Sequence, residues 1–458
     1  MVFDIVIIGS GPGGYVAAVR AAQLGFKTAV IERAQLGGIC LNWGCIPTKA
    51  LLKSADALNT ARNAESYGIK TVGNIEPDIQ QIVARSRAVS AQMSKGIEYL
   101  FKKHNVTLIP GRGKIAAPGV VAVGEDRIES SRIIIATGAR SNSLPMAPID
   151  GKKIIGYRQA LIPEKIPATM AIIGSGAIGS EMAYFYTSMG TKVTLIEYME
   201  QIVPTEDEEV AAQLSRSFRK LGMKVMPGAN VVSAEKHPDR VILNVQTRKG
   251  AEAVEAEVVL SAAGVIPNTN DLGLEETGVK MDRGYIFVDD CYMTSVPGIY
   301  AIGDVLRTPA LAHVASAEAL SCVEQIAGLN VSRVNYASIP GCIYTAPEIA
   351  SVGLRERDAR AKGLDIKIGK FPFTASGKAA AAGERDGFIK LIFLADSGEL
   401  LGAHMIGAHA TEMIGGLVAL LNKKVTAGDL MHSVFPHPTM SEGIMEAAAM
   451  ALGQAVNI

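Results

Sequence analysis

Cys40 and Cys45 stand with four residues between them in Leu36-Gly37-Gly38-Ile39-Cys40-Leu41-Asn42-Trp43-Gly44-Cys45-Ile46-Pro47-Thr48-Lys49. Two thiols at this spacing have two readings. Both can be inert, because buried cysteine behaves as a small hydrophobe. Alternatively they form a dithiol/disulfide couple that takes up and releases two electrons. Geometry constrains the second reading. In a regular α-helix, residues five apart rise about 7.5 Å and turn about 140°, which leaves their Cα atoms roughly 8.7 Å apart. A disulfide tolerates only about 4.4–6.8 Å. If the two cysteines bond, an undistorted helix is excluded, and Gly44 and Pro47 suit a distorted first turn.

Two other stretches have the composition of phosphate cradles. Residues 3–9 are an apolar run closing on Gly9-Ser10-Gly11-Pro12-Gly13-Gly14, followed by a helical stretch to Leu24 and a second strand, Thr28 to Glu32. In such a strand–turn–helix–strand unit Gly9 makes the tight turn, Gly11 lets a pyrophosphate approach the backbone, and Gly14 lets the helix pack on the strand. The helix N-terminus offers N–H groups and a positive dipole to phosphates, and Glu32 can accept from ribose hydroxyls. The pattern recurs at Met170–Ile173, Gly174-Ser175-Gly176-Ala177-Ile178-Gly179, a helix from Ser180 to Met189, and Lys192–Ile196 closing on Glu197. Glu197 follows Gly174 at the interval at which Glu32 follows Gly9. Two units imply two dinucleotides. A carboxylate at the second site accepts from a 2′-hydroxyl and repels a 2′-phosphate. Tyr198, Met199 and Glu200 follow with no arginine among them, so NAD(H) is expected there and not NADP(H).

Two sites are weaker when taken alone. Ile299-Tyr300-Ala301-Ile302-Gly303-Asp304 ends a strand on an acid that can hold a sugar-like hydroxyl or serve as a turn acid. Phe435-Pro436-His437-Pro438-Thr439-Met440-Ser441-Glu442 fixes a histidine between prolines, five residues from an acid able to orient it.

The chain that must position these residues has 458 of them, enough for two to four domains. Hydrophobic residues make up 48% and charged residues 20%, an ordinary globular balance, and the zero net charge argues against a basic nucleic-acid-binding face. Five cysteines in a chain of this length do not form a secreted disulfide framework. The N-terminal apolar run lacks a basic leader and reads as a buried strand rather than a signal peptide, and no stretch approaches a membrane span. A cytoplasmic location is expected. In order, the pattern predicts a first nucleotide domain over 1–145, a second over 146–266, a central segment over 267–336 that completes the first site, and a C-terminal α+β segment over 337–458. It also predicts one helical region from Lys49 to Lys103 and a surface helix over 205–222 with an acidic first turn.

Taken together, Gly38-x-Cys40-x4-Cys45-x-Pro47-x-Lys49, both glycine loops, Ala136-Thr137-Gly138, Gly303-Asp304 and His437-Pro438-Thr439-x-Ser441-Glu442 resemble the pyridine nucleotide–disulfide oxidoreductase family over nearly the whole chain. Within it, the residues from Cys40 to Lys49 and the acidic Glu197 are most similar to the branch that oxidises protein-bound dihydrolipoamide with NAD+. The resemblance implies an α/β fold with two Rossmann-like domains, for FAD and NAD, and a C-terminal α+β dimerisation domain. It implies FAD at Gly9, Gly11, Gly14 and Glu32, with Gly113 near the adenosine, Asp304 on the ribitol, Ala312 near the ring, and Lys49 beside the flavin paired with Glu181. It implies NAD at Gly174, Gly176, Gly179 and Glu197, with Val231 and Gly264 nearby. Cys45 would face the flavin and Cys40 the substrate. His437, oriented by Glu442, would come from the second subunit of a homodimer. The lipoyl group would arrive on an E2 lipoyl domain or a glycine-cleavage carrier protein, with no nucleic acid, membrane span or metal involved.

Some positions depart from that pattern. Phe435 stands where many relatives carry a further histidine, and Val314 where lysine is frequent. Cys291, Cys322 and Cys342 match no motif and are expected to be packing residues. NADPH-dependent disulfide reductases are disfavoured by Glu197. A nucleotide-binding flavoprotein without disulfide chemistry is disfavoured by the intact cysteine pair and His437/Glu442.

Overall fold

A computed structural model describes residues 2–458. The chain divides into two compact units. One comprises Met1–Leu51, Gln80–Asn142 and Gly264–Val334, and the other Leu52–Ile79, Ser143–Ala263 and Asn335–Ile458.

The first unit is built on β1 (Val2–Ile8), β2 (Thr28–Glu32), β3 (Thr107–Pro110), β4 (Gly113–Ala117), β5 (Val120–Val123) and β6 (Asp126–Ile135), in the order β3-β2-β1-β6-β5-β4. Strand Ile299–Ala301 adds to β6 in parallel, so the central segment returns to this sheet. β1 lies between β2 and β6, parallel to both, with Ile8 opposite Ile31 and Ile135. Ile5, Val6 and Ile7 are fully buried because a parallel strand is covered on both faces. One face is covered by α1 (Pro12–Gln23) packed on the helix Ala312–Ile326, and Arg20 and Glu324 join them at 2.7 Å. The cysteine segment forms two helices, α2 (Gly38–Trp43) and α3 (Cys45–Arg62). The expected helical region up to Lys103 is also interrupted. A short 3-10 turn (Ala64–Tyr67) and an irregular stretch precede α4 (Ile79–Lys103). Gly68 and Gly73 adopt positive φ and Pro77 follows, which no continuous helix accommodates.

The second unit holds a parallel sheet in the order Lys224–Met226, Lys192–Ile196, Thr169–Ile173, Val258–Ser261, Ile154–Ile155, with a three-stranded meander over Asn230–Ala256. Its C-terminal part is an antiparallel sheet ordered Gly341–Ile343, Glu348–Gly353, Leu400–Gly407, Phe388–Leu394, Ile366–Pro372. The helix Glu442–Ala451 packs closely on this sheet at Gly369, where a Cβ would stand 1.6 Å from Ala447 O. That contact fixes the helix whose first residue is Glu442.

The helix Glu208–Lys220 presents only part of its acidic start to solvent: Glu208 is exposed, but the two acids before it are not. Glu206 and the N-cap Asp207 are buried, and Asp207 meets Lys390 of the C-terminal sheet. Lys390 Nζ lies 3.0 Å from Asp207, 2.9 Å from Glu209 and 2.8 Å from Glu356, and its side chain is 2% exposed. Burial works against the ammonium, but the carboxylates of Glu356, Glu209 and Asp207 outweigh it and hold Lys390 above its usual range. Removing one partner of such a cluster leaves charge buried and unpaired. Lys390→Met is therefore expected to lower unfolding stability by about 3–5 kcal/mol, measured by chemical denaturation at constant cofactor concentration.

Candidate active site

The two phosphate loops are near copies. Gly9 and Gly174 adopt φ of 104° and 98°, and a Cβ on them would lie 2.4 Å from Ala136 O and 2.6 Å from Ala262 O. Gly14 and Gly179 let their helices seat, since a Cβ on either would fall 1.9 Å from the carbonyl of Gly9 or Gly174. Gly11 and Gly176 cap those helices with no side-chain acceptor, and nothing lies within 4 Å of where their Cβ would be. Space beside free first-turn amides fits a pyrophosphate in each loop.

Glu32 and Glu197 repeat the likeness in detail. Glu32 Oε2 accepts from Ser10 N–H at 2.9 Å and Ser10 Oγ at 2.7 Å, while Oε1 accepts from Ala34 N–H at 2.8 Å. Glu197 Oε2 accepts from Ser175 N–H at 2.9 Å and Ser175 Oγ at 2.6 Å, and Oε1 from Met199 N–H at 2.8 Å. Each acid thus braces its own glycine turn and keeps spare lone pairs for a sugar. The serine is legible in the sequence as Gly-Ser-Gly in both loops, at Ser10 and Ser175. The fold also supplies the arginine that the residues after Glu197 lack: Arg248 forms an ion pair with Glu200.

Other positions expected around the first nucleotide sort differently. Gly113 lies within β4, where Ile8 and Ile31 side chains would stand 3.2 and 3.3 Å from a Cβ, so core packing accounts for its smallness. Asp304 follows Gly303 beyond the strand Ile299–Ala301, and burial alone pushes its carboxyl up, a setting that suits a hydroxyl donor. Gly303 N–H donates to the fully buried Glu318 at 2.6 Å, which steadies that turn. Ala312 opens its helix with no side-chain cap. In the second unit, Val231 is buried in the meander and Glu181, also buried, accepts from Tyr344 N–H at 3.1 Å. Gly264, which the division assigns to the first unit, has φ of 85° and open space on its Cβ side. Lys49 lies in the first unit and Glu181 in the second.

The cysteine pair sits at a helix break. α2 stops at Trp43, Gly44 takes φ −147° and ψ −111°, and α3 restarts at Cys45. The two thiols are unbonded, and Cys40 shares a hydrogen bond with Cys45. That shared bond, then burial, then the charge of Cys45 hold the Cys40 thiol far above its ordinary range. Lys49 and the Cys45 backbone N–H pull the other way. The reduced pair therefore gives up its second proton reluctantly while its first negative charge meets a lysine and a helix N-terminus. Tyr15 of α1 is a neighbour unnoticed in the sequence: its phenol is raised by burial and by the charges of both cysteines.

His437 and Glu442 are brought together. His437 Nδ1 lies 2.7 Å from Glu442 Oε1, and Glu442 Oε2 accepts from Thr439 N–H at 2.8 Å. Burial is the largest single influence and raises the Glu442 carboxyl, but the Thr439 amide and His437 together outweigh it and hold Glu442 below the usual carboxylate range. An ionised Glu442 accepts a hydrogen bond from Nδ1–H, which leaves Nε2 as the base on an imidazole whose side chain is 78% exposed. Phe435 packs against the C-terminal core. Cys322 is buried and Cys342 half-buried, as packing requires, but Cys291 is exposed in a turn where its N–H donates to Asp289, so it is no packing residue.

Residues 3–319 match the family model described as pyridine nucleotide-disulphide oxidoreductase, and residues 339–448 match the dimerisation domain of the same family. This chain belongs to the pyridine nucleotide-disulphide oxidoreductase family. Its similarity to individual family members runs end to end. The chain is 47% identical to a dihydrolipoyl dehydrogenase of Rhizobium etli, with 99% of each chain covered. It is 44% identical to a dihydrolipoyl dehydrogenase of Zymomonas mobilis, again with 99% of each covered. The solved structure of LpdA from Mycobacterium tuberculosis superposes with a TM-score of 0.89 at 28% identity, covering 98% of this chain and 99% of that one. Among the described residues, no helix is long and apolar enough to cross a membrane.

The two glycine types in each loop should separate by experiment. Gly176→Ala meets no atom and is expected to leave the melting temperature unchanged while weakening NAD+ at least about tenfold, because its methyl fills the phosphate space. Gly179→Ala is expected to lower the melting temperature as well. Calorimetry and NAD+ titration check the pair.

Proposed function

We propose that this chain oxidises protein-bound dihydrolipoamide to lipoamide with reduction of NAD+ to NADH, as the dihydrolipoyl dehydrogenase (E3) of a 2-oxo acid dehydrogenase or glycine-cleavage complex. The observation that carries this reading is the thiol pair at the Gly44 break, hydrogen-bonded to each other at the start of α3 with Lys49 acting on them. The cofactors are FAD, held by Gly9, Gly11, Gly14, Glu32, Asp304 and Ala312 with Lys49 beside it, and NAD(H), held by Gly174, Gly176, Gly179 and Glu197. When bound, they supply the two-electron acceptors that restore the disulfide. Gly113, Val231, Gly264 and a Lys49–Glu181 pairing belong to the same reading.

His437 Nε2 removes the proton from one substrate thiol. The thiolate attacks Cys40 Sγ of the oxidised pair, the Cys40–Cys45 bond breaks, and Cys45 leaves as a thiolate. A mixed disulfide joins Cys40 to the substrate. The second substrate thiol then attacks the substrate sulfur of that bond, closing the lipoyl disulfide and releasing Cys40. Lys49 and the N-terminal amide of α3 stabilise the charge left on the pair. Glu442 holds His437 in the required tautomer.

His437 is supplied by the second subunit of a homodimer. Its exposure on a single chain and the match of residues 339–448 to a dimerisation domain support this. The partner carrying the substrate is a lipoyl domain of E2 or of a glycine-cleavage carrier. The location is the cytoplasm, a reducing compartment that suits the exposed Cys291 thiol. Glu197 turns away a 2′-phosphate, and Glu200 keeps Arg248 occupied.

Cys45→Ser is expected to abolish dihydrolipoamide oxidation while NADH-to-dye electron transfer persists, and retained dihydrolipoamide turnover would sink the assignment. Glu442→Gln is expected to cost about 10²-fold in kcat for dihydrolipoamide with dye reduction unchanged, as measured by steady-state kinetics.

A further inference from the structure

α4 carries several donors that reach the backbone around the cysteine pair. Arg85 Nη1 donates to Ala50 O at 2.8 Å, and Ser86 Oγ to Pro47 O at 2.9 Å. Arg87 Nη1 donates to Asn42 O at 2.5 Å. Ser94 Oγ lies 2.8 Å from Leu36 O and 3.0 Å from Asn42 Oδ1. Asn42, 3% exposed, returns Nδ2 to Leu36 O at 2.9 Å and Gly38 O at 3.0 Å, closing the loop before α2 onto the helix.

Arg87 is the member of this group that acts at the break. In an uninterrupted helix Asn42 O would accept from residue 46. Here the backbone turns away at Gly44, and the guanidinium takes that carbonyl. Its Cζ also lies 4.5 Å from the centre of the Trp43 ring, whose Nε1 donates to Gln35 at 3.2 Å. A planar cation fits both tasks, one as a donor in its plane and one through its face. A cation at the C-terminal end of α2 also complements the helix dipole.

We propose that Arg87, stacked on Trp43, is a positioning residue that holds the Gly44 break and thereby keeps Cys40 and Cys45 aligned for disulfide closure. The inference rests on the reading of these cysteines as a redox pair. With alignment fixed by the fold, closure loses little further freedom, so the disulfide forms more completely. Without Arg87 the end of α2 is free to rewind toward helical spacing, which a disulfide cannot span.

The test equilibrates the holoenzyme with mixtures of reduced and oxidised dithiothreitol. The two cysteine thiols together give two electrons and two protons to the cyclic disulfide of the probe, which opens to its dithiol. Alkylation followed by peptide mass spectrometry then counts free Cys40 and Cys45. Arg87→Ala is expected to lower the equilibrium constant for disulfide formation about tenfold, with NADH-to-dye transfer unchanged. Arg87→Lys keeps a charged donor without the planar face and is expected to lower it about threefold, so the inference stays testable if the alanine variant folds poorly. A wild-type equilibrium in both variants overturns the inference, even if their melting temperatures fall. If the wild type itself forms no Cys40–Cys45 disulfide in any mixture, the redox reading beneath it fails instead.

Discussion

The interruption at Gly44 is the constraint on which the chemistry of this protein depends. A continuous helix from Gly38 to Arg62 would keep the two cysteines too far apart to bond. By ending one helix and starting another, the chain places Cys40 where the first amide of an 18-residue helix donates to its sulfur. One backbone feature therefore supplies both proximity and local electrostatics. Its cost is a set of helix-end groups without intrahelical partners. Arg87 of α4 meets part of that need at Asn42 O, while Ser86 and Ser94 bond to Pro47 O and to the Asn42 side chain, and so α4, distant along the chain, belongs to the redox segment as much as α2 does.

The second organising feature is duplication. Both nucleotide units use a glycine at φ near 100°, a helix capped only by backbone, and an acid at the end of the second strand that hydrogen-bonds a loop serine twice. These acids have two functions. They hold the turn of each glycine loop, and in the proposed function they also accept from a ribose. A charged acceptor bonded to an amide and a hydroxyl contributes more than a neutral one, and Glu197 does this while 7% exposed.

Motifs with local physics were legible from sequence. The strand–glycine–helix units, the cysteine spacing that forbids a plain helix, and the His437–Glu442 pair each depend on residues close together along the chain. Features that depend on distant residues were not. Asp207 belongs to the acidic first turn of an expected surface helix until Lys390, 183 positions later, is folded against it. Nothing near Arg248 in the chain points to Glu200, to which the meander brings it. Arg87, Ser86 and Ser94 look like the polar face of a solvated helix, because nothing local marks which carbonyls they will meet. Gly113 shows the converse: a glycine near a motif invites a ligand role, while its surroundings are Ile8, Ile31 and Val121.

The bracing of the glycine turn by Glu197 has a consequence for redesign. Replacing this acid with a small neutral residue, the obvious route to a phosphorylated cofactor, removes the acceptor for Ser175 N–H and Oγ and for Met199 N–H together. On the proposed role of Glu197 toward NAD(H), selectivity and loop rigidity are thus written in the same carboxylate and cannot be edited separately. A successful exchange has to import a new acceptor for Ser175 along with any cation for the phosphate. The same bracing acts at Glu32, so the architecture of the turn constrains either acid whatever ligand it is proposed to serve.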